Sequence, residues 1–324
     1  MSSIQKIQDQ LKTLTEDGPL QNNRKLMSTL KEIKNQFKKN EAAPLKRLGQ
    51  NFLVSQNVLN KIIETAQLKP SDTIVEIGPG LGALTFELAK KVRKVVAVEK
   101  DQKFFEILKE NLEAKNVKNV LLINEDALKF QFSTVRPRAH CRGVFNFQTK
   151  NYKLIANLPY NIATAVIMKF LEAENPPELS SALPELSSAL PELMVVMVQK
   201  EVAQRICAKP PHMNKLAIFC QLYAMPKIIT YVPPTAFHPK PKVFSAILQL
   251  SPFQGPIFKS SRDPVLGTLI KIGFSHPRKT LLSNFIKNGK DQPFTILSKE
   301  KMIEWFKENS IDPKQRPETL TIHN

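Results

Sequence analysis

Residues 73–82 read Thr-Ile-Val-Glu-Ile-Gly-Pro-Gly-Leu-Gly. The β-branched run Thr73–Ile77 predicts a buried strand, and the glycines at 78, 80 and 82 predict a tight turn that opens into a helix. Glycine lets a backbone turn sharply and approach a ligand closely, so the same ten residues predict a binding site at the end of that strand. A strand of this kind cannot stand alone. It calls for parallel neighbours joined by helices, which is an α/β core.

The rest of the chain supplies them. Short β-branched runs predict further strands at Val95–Val98, Val120–Ile123, Leu154–Ala156, Met194–Val198, Ile228–Val232 and Ser245–Leu250. Helical periodicity fills the intervals at 56–67, 82–90, 101–115, 162–173, 200–208 and 214–224. Beyond residue 253 strand signals stop, and helical patterns separated by Gly, Pro and Ser predict a small all-helical C-terminal domain. Residues 1–43 are polar and helix-prone and read as an extension. The expected division is therefore 1–43, 44–252 and 253–324. Glu178–Pro184 (ELSSALP) is repeated at once as Glu185–Pro191. A seven-residue repeat containing proline is no coiled coil and reads as a duplication in a surface connection.

Composition points to a polyanionic partner. The 324 residues carry 47 Lys+Arg against 29 Asp+Glu, a formal charge of +18. Such an excess favours nucleic acid. Basic pairs at Lys46–Arg47, Lys240 and Lys242, and Arg278–Lys279 are the candidate RNA contacts, expected to face one groove. No apolar run is long enough to span a membrane, and the N-terminus lacks the apolar stretch of a secretory signal. Three cysteines without a CxxC spacing make neither a disulfide framework nor a metal site. The expectation is a cytoplasmic, monomeric protein without a metal.

Acidic residues recur at successive strand ends. Glu99 ends the second strand, where a carboxylate can accept from both ribose hydroxyls of a nucleoside cofactor. Asp126 follows the third, where it can accept from an adenine amino group. Up to this point NAD and S-adenosylmethionine remain open. The fourth strand end decides between them, because it runs into Asn157-Leu158-Pro159-Tyr160. The Asn157 side-chain oxygen and the Leu158 carbonyl can accept the two N–H groups of an exocyclic amine. Pro159 has no N–H and stiffens the turn. Tyr160 can stack on a base that is unpaired or flipped. That arrangement presents adenine N6 to an electrophilic methyl group, so S-adenosylmethionine is the expected cofactor.

With these residues in place the chain resembles the family of small-subunit ribosomal RNA adenine N6-dimethyltransferases. The resemblance runs from about Lys46 to beyond Lys279. It rests on Leu48-Gly-Gln-Asn51-Phe-Leu53, Glu76-Ile-Gly-Pro-Gly-Leu-Gly82, Val98-Glu-Lys-Asp101, Asn157-Leu-Pro-Tyr160, Gln199-Lys-Glu-Val202, Pro234-Thr-Ala-Phe237-His-Pro-Lys-Pro-Lys-Val243 and Arg278-Lys-Thr-Leu281. It implies a Rossmann-like class I methyltransferase fold with a helical C-terminal domain, dimethylation of two adjacent adenines near the 3′ end of small-subunit rRNA, and the small subunit as partner. It implies cofactor contacts at Asn51, Leu53, Gly78, Glu99, Asp126 and Asn157, beside the glycine turn at Gly80. It also implies that Tyr160 and Phe237 sandwich the target base.

Four features depart from the family pattern. Ala156 stands where glycine is frequent, and Phe244 stands where aspartate is usual after Pro-Lys-Val. The loop before Leu216 reads Pro210-Pro-His-Met-Asn214-Lys215, and residues 131–150 are longer than typical. None removes a proposed catalytic group. Three rivals are an NAD-dependent oxidoreductase, in which Asn157–Tyr160 and the charge would have no role, a large-subunit rRNA adenine methyltransferase, and a non-catalytic ribosome-assembly factor on the same fold. Intact Glu99, Asp126 and Asn157 speak against the last.

Overall fold

The structure is a computed structural model that describes residues 51–130, 152–172, 190–253, 264–288 and 298–322. The extension 1–43, Lys46, Arg47, the long segment 131–150 and the ELSSALP repeat up to residue 189 lie outside them. The described residues form two compact units. One runs to Ala203 and resumes over Lys227–Pro252; the other comprises Gln204–Pro226 and the chain from Phe253 onward.

The first unit is built on a seven-stranded sheet. In chain order its strands, counted from a short β1 (Phe52–Leu53) outside the sheet, are β2 (Thr73–Ile77), β3 (Lys94–Glu99), β4 (Val120–Asn124), β5 (Lys153–Asn157), β6 (Leu193–Gln199), β7 (Ala224–Val232) and, after the two-residue β8 (Phe237–His238), β9 (Ser245–Pro252). The spatial order is β4-β3-β2-β5-β6-β9-β7. Helices α1 (Gln56–Thr65), α2 (Ala83–Ala89), α3 (Gln102–Ala114), α4 (Ala163–Glu172) and α5 (Lys200–Ile206) occupy the connections. All seven expected strands and the helices expected between them are present.

β2 is buried at every residue, Glu76 included, as a central strand with helices on both faces must be. Its neighbours pair in parallel from β4 through β6. β9 breaks that rule by running antiparallel to β6, from Met194↔Leu250 to Gln199↔Ser245. The expectation of a parallel sheet holds for the first five strands only. A parallel neighbour is usually reached by a crossover helix, whereas residues 233–244, between β7 and β9, hold a 3₁₀ turn at Pro234–Ala236, the two residues of β8 and a loop, and no crossover helix.

Chain order reverses between β2 and β5, the place where open α/β sheets leave a crevice at their carboxyl ends. The register widens it. β2 and β5 pair only at Ile74↔Lys153 and Val75↔Leu154, while β2 and β3 pair through Ile77↔Val98. Beyond the second pair the strands part, and Gly78 and Asn157 stand on opposite lips. At the other end, buried Lys153 holds the crevice closed. Its Nζ donates to the carbonyls of Ala66 (3.1 Å) and Gln67 (2.7 Å) and to Asp72 Oδ2 (2.8 Å). Three acceptors satisfy all three ammonium donors, which is what makes a buried lysine tolerable.

The second unit packs α6 (Lys215–Tyr223), α7 (Pro264–Gly273), α8 (Leu281–Asn288) and α9 (Lys299–Glu308). Asn214 caps α6 by accepting from Ala217 N–H at 3.1 Å. The apolar face of α6 (Ala217, Ile218, Leu222) meets Ile270 and Phe274, while Ile272 belongs to a second cluster with Leu281, Phe285, Met302 and Phe306. The division between Pro252 and Phe253 coincides with the expected one, and Gln204–Pro226 in addition groups with the helical unit, because the apolar residues of α6 are spent on the α7 segment. Among the described residues no helix is long and apolar enough to cross a membrane.

Candidate active site

The crevice at the carboxyl ends of β2, β3 and β5 is a pocket of about 240 Å³. Asn51, Leu53, Gly78, Gly80, Glu99, Asp126, Asn157, Leu158, Pro159 and Tyr160 all line it. Ten of the expected residues therefore converge from five separate stretches of chain.

The glycine turn forms its floor. Gly78, Gly80 and Gly82 have φ of 67°, 56° and 86°, the left-handed region that side chains with a Cβ enter at a cost. At Gly80 a Cβ would stand 2.9 Å from the Phe52 ring, and at Gly82 2.5 Å from Leu108 Cδ1. We expect Gly82→Ala to cost about 1–3 kcal/mol of stability, from a strained backbone and a displaced side chain. Gly267, in α7, has nothing within 4 Å of a notional Cβ. Gly267→Ala should raise stability by up to about 1 kcal/mol. Thermal melting of the two variants side by side checks the contrast.

Glu99 is buried and reaches back into this turn. Its Oε2 accepts from Gly80 N–H at 3.0 Å and its Oε1 from Asp101 N–H at 2.9 Å. The carboxylate lines the pocket, where it can accept from a ligand hydroxyl. Burial pushes the carboxyl above its ordinary range, and the backbone N–H groups of Asp101 and Gly80 oppose the rise. Asp126 sits nearer the mouth, with Oδ2 at 2.8 Å from Lys100 Nζ and Oδ1 accepting from Leu128 N–H at 3.0 Å. The Lys100 bond holds it ionised, below the usual carboxylate range.

Glu76 has no expected role from sequence, yet it lines the same pocket. It is 2% exposed, and its Oε2 has no hydrogen-bond partner among the described residues. Burial pushes its carboxyl up to about 8, the neighbouring Thr85 hydroxyl opposing and the Glu99 charge adding to the rise. The signal that could have found it is an acidic residue inside an otherwise apolar strand.

On the opposite lip, the Asn157 Nδ2 donates to the Asn51 carbonyl at 3.0 Å. That bond sets the plane of the amide and leaves Oδ1 as the end able to accept from an amine. Leu158 N–H donates to Met197 O at 3.2 Å, and Pro159 O accepts from Ile162 N–H at 3.1 Å, so the turn is held at both ends. The Pro159 ring lies against Gly78, within 3.4 Å of where a Cβ would be. Half-buried Tyr160 bonds Ser245 Oγ through its hydroxyl at 2.6 Å. Ser245, at the start of β9, carried no signal in the sequence.

One expected residue does not join them. Phe237 is 2% exposed and packs with Leu53, Val232, Ala236 and Ile247 in the core. The antiparallel pair β1–β8, with Leu53↔Phe237 and Phe52↔His238, sets the side on which it lies. Phe237 thus sits among core residues and not along the lining of the pocket. Lys240 and Lys242 are exposed in the loop before β9, and Arg278 and Lys279 are exposed in the helical unit between α7 and α8.

The pocket admits a ligand of particular charge. A dinucleotide would bring a pyrophosphate to the glycine turn, against the buried carboxyls of Glu76 and Glu99. A nucleoside carrying a cationic sulfonium and an ammonium instead meets acceptors, one of them an oxygen without a partner among the described residues. The donor set fits S-adenosylmethionine.

Comparisons with known proteins follow the same line. Residues 43–324 match the family model described as ribosomal RNA adenine dimethylase. The chain is 40% identical over 279 residues to a ribosomal RNA small subunit methyltransferase A from Alkaliphilus metalliredigens, covering 86% of this chain and 88% of the relative. It is equally 40% identical over 277 residues to the protein of that name from Dehalococcoides mccartyi, covering 86% and 84%. Among solved structures, a dimethyladenosine transferase from Plasmodium falciparum superposes with a TM-score of 0.63 at 26% identity, covering 84% of this chain and 93% of that one. The 23S rRNA methyltransferase ErmE superposes with a TM-score of 0.60 at 20% identity, a likeness of fold, covering 84% and 96%.

Proposed function

The chain belongs to the ribosomal RNA adenine dimethylase family, and from that premise we propose that it transfers methyl groups from S-adenosylmethionine to N6 of two adjacent adenines near the 3′ end of small-subunit rRNA. The observation that carries the reading is the Asn157–Tyr160 turn, with its amide fixed by Asn51 and set across the crevice from Glu99 and the glycine turn. The small-subunit target is supported by the bacterial relatives named for that subunit.

Asn51, Leu53, Gly78, Gly80, Glu99 and Asp126 would hold the cofactor, Glu99 through the ribose and Asp126 through the adenine. When bound, the cofactor supplies an electrophilic methyl group on a positively charged sulfur. The chain's own task is positioning and exclusion of water. The adenine N6 lone pair is delocalised into the ring. Asn157 Oδ1 and the Leu158 carbonyl accept its two N–H groups and favour a more tetrahedral nitrogen, whose lone pair then points into the pocket. Pro159 offers no competing N–H. Tyr160 supplies a ring face for the base, its hydroxyl anchored on Ser245. No strong general base is needed, because the amine turns acidic once methylated and gives its proton to water or to a carbonyl.

The test is incubation with S-adenosylmethionine tritiated in its methyl group and either small or large subunits from an undermethylated strain, followed by mapping of the labelled nucleotide. Label is expected in N6,N6-dimethyladenine at two neighbouring positions of the small-subunit rRNA. Label confined to the large subunit would overturn the substrate, and no label on either would overturn the activity.

A further inference from the structure

Phe244 and Val243 are exposed, at 36% and 45%, in the loop that leads into β9. Lys200, at the start of α5, places its ammonium 5.2 Å from the centroid of the Tyr231 ring and 5.9 Å from that of Phe244. One cation thus lies within cation–π reach of two rings. The backbone holds them together: Lys200 N–H donates to Phe244 O at 2.9 Å, one step beyond the Gln199↔Ser245 pair.

The next residue, Ser245, anchors the Tyr160 hydroxyl at 2.6 Å. The patch is therefore one residue from the group that orients Tyr160 at the pocket. Lys242, two residues before Phe244 in the chain, is exposed as well. An exposed phenylalanine costs solvation. A ring beside the Lys200 ammonium attracts a base and its backbone together.

We infer that Phe244, with Lys200 and Tyr231, forms a stacking platform for an unpaired nucleotide of the substrate RNA that flanks the target adenine. The platform rests on the proposed rRNA substrate and adds to it a second point of base contact, outside the pocket. Stacking supplies affinity that any base can use, since every base has a π face. Lys200 adds contact with the backbone phosphate, and the chain's charge of +18 is complementary to RNA. The occupant is single-stranded, because inside a duplex both faces of a base are covered by its stacked neighbours.

The experiment uses the full chain, intact undermethylated small subunits for kinetics, and a single-stranded oligoribonucleotide bearing the two adenines, with 2-aminopurine in place of each flanking nucleotide in turn. Phe244→Ala should raise KM for subunits about tenfold and leave kcat within about twofold. It should leave the salt dependence of binding unchanged, because no charge is lost. Phe244→Tyr should behave as the native chain, and Phe244→Leu, equally apolar but without a π face, as Phe244→Ala. The native chain should quench one flanking 2-aminopurine, and Phe244→Ala should not. Lys200→Ala should instead lower the slope of log affinity against log salt by roughly 0.7, one phosphate contact on a single strand.

If the native chain methylates adenine yet Phe244→Ala matches it in KM and quenching, the platform is overturned while the activity stands. If Phe244→Leu retains native KM, the patch is a greasy surface rather than a stacking site, and the inference is again wrong. If the native chain methylates no rRNA, the failure lies with the proposed function.

Discussion

Asn157→Ala should lower kcat for adenine methylation by at least about 100-fold, the scale of deleting one group that stabilises charge in a transition state, while binding of the small subunit stays within about threefold. The asymmetry follows from where each energy resides. Affinity for RNA comes mostly from phosphate contacts, which Asn157 does not make. Its Oδ1 acts on the amine alone, and its value grows as N6 becomes cationic. Loss of the Nδ2 bond to the Asn51 carbonyl also costs stability, on the order of 0.5–1.5 kcal/mol. A modest fall in melting temperature is therefore expected. Asn157→Asp separates the two roles, since a carboxylate keeps an acceptor but cannot donate to Asn51. Single-turnover methylation, subunit binding and melting should be measured on the same proteins. A folded Asn157→Ala chain with near-native methylation would remove the turn from the mechanism. A parallel loss of methylation, binding and melting temperature would show that Asn157 serves the fold alone.

The second large effect is a dependence on pH centred on Glu76. Its carboxyl is raised from 4.5 to about 8 by burial, so the folded, ligand-free chain holds a proton that the unfolded chain releases. The stabilisation is complete below pH ~4.5 and is lost as pH rises towards 8, at up to about 1.4 kcal/mol per pH unit. Above 8 both states are ionised and the loss levels off. Glu99 is shifted in the same direction and adds to the slope. Urea denaturation of the ligand-free protein at pH 5.5, 6.5, 7.5 and 8.5 should show this decline. Glu76→Gln should remove most of it and be the more stable protein at pH 8. A cationic ligand favours the ionised carboxyl, so S-adenosylmethionine should bind more tightly to the native chain as pH rises to 8, and Glu76→Gln should lose that trend. A native chain whose denaturation midpoint is flat across the range would show that Glu76 does not titrate there.

Much of the fold was legible because its signals are local. A strand such as Thr73–Ile77 announces itself by its β-branched run, and the turn after it by the φ values that only glycine adopts cheaply. The helix that begins at Gln102 is marked by Asp101, whose side chain accepts from Lys103 and Phe104 N–H. The candidate site was legible to the extent that each motif sits at a strand end, since parallel strands put all their carboxyl ends on one side. Lys153 shows the limit. Its three acceptors come from residues 81 to 87 positions earlier, and a lysine at the head of a strand reads as an exposed charge.

The sequence by itself determined the elements, their type, the glycine turn and the identity of the groups that face the pocket, because periodicity, capping and turn chemistry act over a few residues. Only the tertiary structure decided which of these groups meet. The antiparallel insertion of β9, the bond from Asn157 to Asn51 across 106 positions and that from Tyr160 to Ser245 across 85 depend on chain direction and register. Alternation in a strand gives two faces and does not say which is inward. Phe237, set opposite Leu53 by the pairing of β8 with β1, has its ring in the core. Residues 204–226 joined the helical unit for the same reason. An amphipathic helix declares that it needs an apolar partner, and only the packed chain shows which one it finds.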